Sequence, residues 1–177
     1  IVETEEGGAT LIACGSTETV LGEVERSFAD ALGVACRMLE DNRLLAGGGA
    51  THVALARSLR RFAESIPGRE QLGAEAFADA LEVIPRVLAE NAGLDPIDTL
   101  LQLVAAQANG GDFSHYLGLD LLNRRPANMV ESGVLEPYLI ARQSIAGATE
   151  AAISILRIDD VLWAKQDPSM ADVPEME

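Results

Sequence analysis

Apolar residues recur at helical spacing through Val20, Val24, Phe28, Ala31, Ala35 and Met38, a stripe that predicts one long amphipathic helix. Thr17 is placed to cap it, Glu18 suits its first turn, and the pattern ends near Asp41-Asn42. Glu23, Arg26, Asp30, Gly33 and Arg37 fall on another face, so Asp30 projects from a rigid support with Arg26 one turn before it. A short polar turn then leads to Gly47-Gly48-Gly49-Ala50, which opens a second helix marked by Val53, Ala56, Leu59, Ala63 and Ile66. Pro67-Gly68 ends it. Glycines let a backbone or ligand approach closely, and a helix start presents free amides suited to oxyanions.

A third helical pattern runs from about Arg69 to Asn91, with Leu72, Ala76, Phe77, Ala80, Leu81, Ile84 and Leu88 as its inner face. Pro85 removes a hydrogen bond there and should kink or split it. Asp95 and Pro96 have the chemistry of a cap and a first helical residue, and Ile97, Leu100, Leu101 and Val104 carry the next helix to Asn109-Gly110-Gly111. Tyr116 to Leu122 suggests a short strand and Asn123 to Pro126 a turn, together an irregular hairpin. Asn128 to Ser132 reads as one helical turn ended by Gly133. Pro137 begins a last long helix through Ala152, with Ile140, Ile145, Ala148 and Ala152 facing inward. Earlier, Ala9 to Ala13 reads as a strand; later, Ile153 to Trp163 shifts to an Ile/Leu/Val pattern expected to end in one. The tail from Gln166 to Glu177 holds two prolines, four acids and no basic residue, and is expected to be disordered.

Composition supports a helical core: 48% of the 177 residues are hydrophobic but only 4% aromatic. A net charge of −15 argues against nucleic acid or an anionic membrane as a partner. Lys165 is the only lysine, and an acidic, lysine-poor surface is expected of a salt-adapted cytosol. Cys14 and Cys36 fit reduced thiols, with Cys36 a buried small hydrophobe beside the stripe. No apolar run reaches spanning length. The chain opens on Ile1 in what reads as mid-sequence, so it is expected to be part of something longer. His52 and His115 are too few and too isolated to suggest a metal site.

Four segments in order resemble one family: Gly47-Gly48-Gly49-Ala50, Phe77-Ala78-Asp79-Ala80-Leu81-Glu82-Val83-Ile84-Pro85, Leu88-Ala89-Glu90-Asn91-Ala92-Gly93-Leu94-Asp95-Pro96, and Leu156-Arg157-Ile158-Asp159-Asp160. They are similar to the C-terminal part of group II chaperonins, the thermosome/CCT family, with an archaeal subunit the expected source. The resemblance implies a mainly α chain with small β elements. Residues 1–13 would end the apical domain, 14–45 form the C-terminal half of the intermediate domain, and 46–165 the C-terminal half of the equatorial ATPase domain. Residues 166–177 would be the acidic tail, and the strand ending near Trp163 would pair subunits within a ring.

The resemblance also assigns roles. Asp30 matches the aspartate that positions the water attacking ATP, a task that suits a carboxylate on a moving helix. Gly48 and Gly49 match glycines near the nucleotide's ribose and phosphates, Glu136 an acid that accepts from the ribose hydroxyls, and Asp120 a position in the hairpin over the adenine. Each has a plainer reading: an exposed acid paired with Arg26, a tight helix entry, and, for Glu136, a helix cap. The implied cofactors are ATP and Mg2+, with the magnesium ligand in a Gly-Asp-Gly-Thr-Thr loop of the N-terminal half that nothing in this sequence matches. The implied partners are homologous subunits in a double ring and unfolded client proteins in the cytoplasm, without nucleic acid or membrane. Cys14, His52 and Asn128 stand where the family has arginine, glutamate and aspartate, and the hairpin glycine is replaced near Arg124. Those departures keep open a ring-forming but hydrolytically weak paralogue. The missing loop and acidic surface keep open a stand-alone acidic helical scaffold.

Overall fold

A computed structural model describes residues 2–3 and 9–160. The chain divides into two compact units, Ile1–Ala141 and Arg142–Glu177. The first opens with two short antiparallel strands, β1 (Val2–Glu3) and β2 (Ala9–Thr10), the latter much shorter than the strand predicted over Ala9 to Ala13. Helix α1 follows over Glu18–Glu40, with the Thr17 hydroxyl accepting from the Val20 amide as its cap. Its ends and its cap are those read from the pattern, but its stripe is uncovered. No residue of α1 is buried, and Val20, Val24, Phe28 and Met38 are all exposed. Cys36 is exposed too, so the expectation of a buried thiol fails for want of a packing partner.

From Leu44 onward the chain packs. Strand β3 (Leu44–Ala46) feeds the glycine turn and α2 (Ala50–Ala63). The predicted third helix is two, α3 (Glu70–Leu81) and α4 (Val83–Asn91), parted at Glu82. Pro85 has no N–H to return to the Leu81 carbonyl, so the break falls one turn before the proline. Helix α5 spans Pro96–Asn109, with the Asp95 carboxylate accepting from the amides of Ile97 and Asp98. A short 3-10 turn over Gly111–Tyr116 leads into the hairpin of β4 (Leu117–Asp120) and β5 (Arg125–Asn128), paired antiparallel from Leu117↔Asn128 to Asp120↔Arg125.

The core joins Val53, Ala89, Leu103 and Leu119, with Leu88, Leu94, Leu100 and Val104 around them; a second cluster unites Ala46, Ala50 and Met129. The inner face of α3 and α4 is the predicted one at Leu81, which is buried, and at Leu88, which packs against the core, but differs elsewhere. Ala78, Leu81, Pro85 and Ala89 are buried, while Leu72, Phe77 and Ile84 are exposed. Small residues let α3 approach α2 closely, and the bulky apolar ones face outward. In α5, likewise, Leu103 is buried while Ile97 and Leu101 are exposed.

After β5 the chain makes the single helical turn expected: the Ser132 amide donates to the Asn128 carbonyl four residues back (3.1 Å), Gly133 ends it at a φ of 71°, and the Asn128 side chain accepts from the Val130 amide and donates to Glu131. Strand β6 (Leu135–Pro137) then pairs antiparallel with β3, placing Glu136 opposite Leu45. The pattern predicted neither strand. Helix α6 (Tyr138–Leu156) begins after Pro137, so Glu136 is a strand residue and not a helix cap.

Beyond Ala141, which is buried, the second unit comprises the rest of α6 and the residues to 160. Ile145 is half-buried, but Ala148 and Ala152 are exposed, against expectation. The helix runs on to Leu156, and the Ile/Leu/Val run has not become a strand by residue 160. The strand expected to end near Trp163 and the tail from Gln166 lie outside the described residues.

Candidate nucleotide site

The glycine turn is held from three sides. Gly48 and Gly49 have φ of 61° and 75°, the left-handed backbone that side chains disfavour. Space excludes a side chain as well: a Cβ on Gly48 would lie 2.7 Å from Met129 Sδ, and one on Gly49 would lie 2.8 Å from Pro85 Cβ. The close approach these glycines allow is therefore used first by the protein's own chain. The Gly47 amide donates to the Val134 carbonyl (3.0 Å), and the Leu119 amide to the Gly48 carbonyl (2.8 Å).

Those two hydrogen bonds, with the β3–β6 pairing, draw three distant stretches together. Gly48 and Gly49, the strand carrying Asp120, and the strand carrying Glu136 become one packed module. Among the described residues, the amides of Thr51 and His52, in the first turn of α2, donate to no backbone carbonyl. A glycine-lined helix start with free amides fits an anion such as a phosphate group.

Asp120 has local work. Its carboxylate accepts from the amides of Leu122 and Asn123 (3.0 and 3.1 Å) and from the Asn123 side chain (2.6 Å). The Asn123 side-chain bond, then the backbone donors, hold its pKa below the ordinary carboxylate value. Arg124, in the same turn, has φ of 54° and is the one non-glycine at positive φ among the described residues. This is the place where the resemblance expects a glycine nearby. Glu136 is half-buried, and its carboxylate has no hydrogen-bond partner among the described residues.

Asp30 stands apart. It lies ten residues before the end of α1, about 15 Å along the helix. The expected pair with Arg26 does not form, because Arg26 takes Glu23 instead, at 2.5 Å. The Asp30 carboxylate is exposed and unpartnered among the described residues.

Polar residues that the pattern did not single out hold the module. The Gln107 side-chain amide donates to the Ala50 carbonyl (2.9 Å) and the Leu117 carbonyl (2.8 Å). Arg57 donates to the Gln107 carbonyl (2.7 Å). Arg60 of α2 grips Glu82 and Asp79, with Glu82 almost fully buried, and the two carboxylates raise the Arg60 pKa above its already high ordinary value. The available signal for Gln107 was a polar residue sharing a helix face with Leu100 and Leu103.

The chain belongs to the TCP-1/cpn60 chaperonin family, whose family model matches residues 1–166. Within it the likeness is to the group II branch. The chain is 53% identical over 157 residues to a thermosome subunit of Methanocaldococcus jannaschii, covering 89% of this chain and 29% of that protein. It is 54% identical over 160 residues to thermosome subunit alpha of Halobacterium salinarum, covering 90% of this chain and 28% of that one. A solved open-state monomer of a group II chaperonin from Methanococcoides burtonii superposes with a TM-score of 0.67 at 42% identity, covering 81% of this chain and 35% of that one. The mainly helical fold with small β elements expected of the family is the one observed. The chain thus spans less than a third of the two thermosome subunits' lengths and 35% of the solved monomer's.

Proposed function

We propose that this chain is the C-terminal part of an ATP-driven group II chaperonin subunit, which folds client proteins inside a double ring of homologous subunits in the cytoplasm. Residues 1–13 end the apical domain, 14–45 complete the intermediate domain, 46–165 form half of the equatorial domain, and 166–177 are its tail. Gly48, Gly49, Asp120 and Glu136 frame the nucleotide, with its Mg2+ held by the N-terminal half. The phosphates lie toward the free amides of α2, and the Glu136 carboxylate accepts from the ribose diol. Asp30 orients the attacking water when its helix swings in. ATP supplies the phosphoryl group; the residues of this chain bind, orient and gate.

One observation carries the reading. Four of these residues share a hydrogen-bonded module, while the fifth is an acid without a partner among the described residues, on a helix with no buried residue. A site split in this way makes hydrolysis conditional on closure.

In the full-length ring, Asp30→Ala should still bind ATP but lose about 100-fold or more in turnover. Unchanged turnover would remove Asp30 from the chemistry. The strained Arg124 in the hairpin turn favours a second reading, a ring-forming but hydrolytically weak paralogue. Ordinary ATPase turnover by the unmutated ring would end it. Membership of the family weighs against a free-standing scaffold.

A further inference from the structure

We propose that Gln107 is a positioning residue for nucleotide binding, the strut that sets the spacing between the glycine turn and the adenine hairpin. The inference rests on the nucleotide reading of that module. Gln107 is 1% exposed, on the face of α5 shared with Leu103. Its two amide hydrogens go to different segments: one to Ala50, the residue after Gly49, and the other to Leu117, at the start of the strand that ends in Asp120. A planar amide has a fixed angle between its two N–H bonds, so the two carbonyls are held at a fixed separation.

Ala50 is fully buried and Leu117 half-buried, and the buried Gln107 amide stands against both carbonyls. Removing the donor would take from the Leu117 carbonyl the bond that Gln107 supplies, leave the Ala50 carbonyl only its bond within α2, and let the segments move apart. The strut is itself braced from behind. Arg57 donates to the Gln107 main-chain carbonyl and reaches Ser114 Oγ at 3.4 Å, fixing α5 relative to α2 at this level. Gln107 Oε1 and Arg57 Nε have no partner within the described protein. The side chain is thus kept for its donors and not for its acceptor.

The test uses full-length subunits assembled into rings, with ATP turnover and thermal midpoint measured in parallel. Gln107→Met keeps the volume and removes both donors. Its KM for ATP should rise about tenfold, the equivalent of one lost hydrogen bond, while kcat stays within about twofold. Gln107→Asn keeps an amide too short to reach both carbonyls, and should give a smaller rise of about threefold. If the methionine variant does not assemble, the asparagine variant decides by itself. A fall in thermal midpoint with KM unchanged in the variants that assemble would make Gln107 a purely structural residue and overturn the inference alone. An unmutated ring showing no saturable dependence on ATP would overturn the nucleotide reading and this inference together.

Discussion

Helix α1 and helix α2 are both amphipathic and both follow a turn, yet they are held in opposite ways. In α2, Ala50, Val53, Ala56 and Ala63 are buried; in α1, nothing is. Capping and local ion pairs form α1: Thr17 at its start, Arg26 with Glu23, and Arg37 with Glu40. By contrast, α2 has no side-chain cap, and tertiary contacts fix its start and its last turns. A sequence stripe reports that a helix has an apolar side. It does not report whether anything in the same chain covers that side. On the proposed reading, the helix tied to its neighbours would position the ligand and the one formed by its own caps would carry a side chain toward it.

The largest expected effect tests the tied start of α2. Gly49→Ala puts a methyl group within 2.8 Å of Pro85 at a φ of 75°. Left-handed strain and overpacking add, and the chain should lose about 3 kcal/mol in a urea titration. A midpoint unchanged from the parent would show that the turn is not locked against α4. The next effect separates the two helices by the same chemistry. Arg60→Ala breaks the grip on buried Glu82 and should cost about 2 kcal/mol, less than a fully buried pair because the Arg60 side chain is 40% exposed. Arg37→Ala in α1 breaks a pair whose members are 55% and 59% exposed, and should cost no more than about 0.5 kcal/mol. Equal losses would erase the distinction between tied and free helices.

Much of this was legible where the signal is local. Thr17, Asp95 and Pro96 mark helix starts because a cap depends on a few adjacent residues, whereas the hairpin turn expected over Asn123 to Pro126 falls two residues earlier, with Arg125 and Pro126 already in β5. The β3–β6 ladder was not legible, since three-residue strands some ninety positions apart carry no periodicity of their own. The face of α3 was misread in part because Leu72 and Phe77 are exposed while Ala78 is buried, with Leu81 alone of its bulky residues buried as expected. Asn128, where the family resemblance places an aspartate, donates to Glu131 at 2.7 Å, a bond that a carboxylate could not make. As for the site, the glycines fell on a recognisable helix entry and Asp120 on the expected strand, whereas Gln107 became visible only when its two acceptors were seen on separate segments.

The smallest expected effect lies at the rim of the module and depends on pH. Bonds to the Asn123 side chain and to the amides of Asn123 and Leu122 hold the Asp120 pKa below its ordinary 3.8. The folded chain therefore binds that proton less readily than the unfolded chain does. The stability contributed by the turn is present in full above the ordinary value and is lost as pH falls below it, through the depressed folded value. Asp120→Asn, which cannot titrate, should remove that component and flatten the acid limb of stability below about pH 4. Because Asp120 lies at the surface, added salt should shrink the difference between parent and variant, while the Gly49→Ala loss, steric in origin, should persist. An acid limb of the same slope in both proteins would show that the hairpin turn stands without its carboxylate.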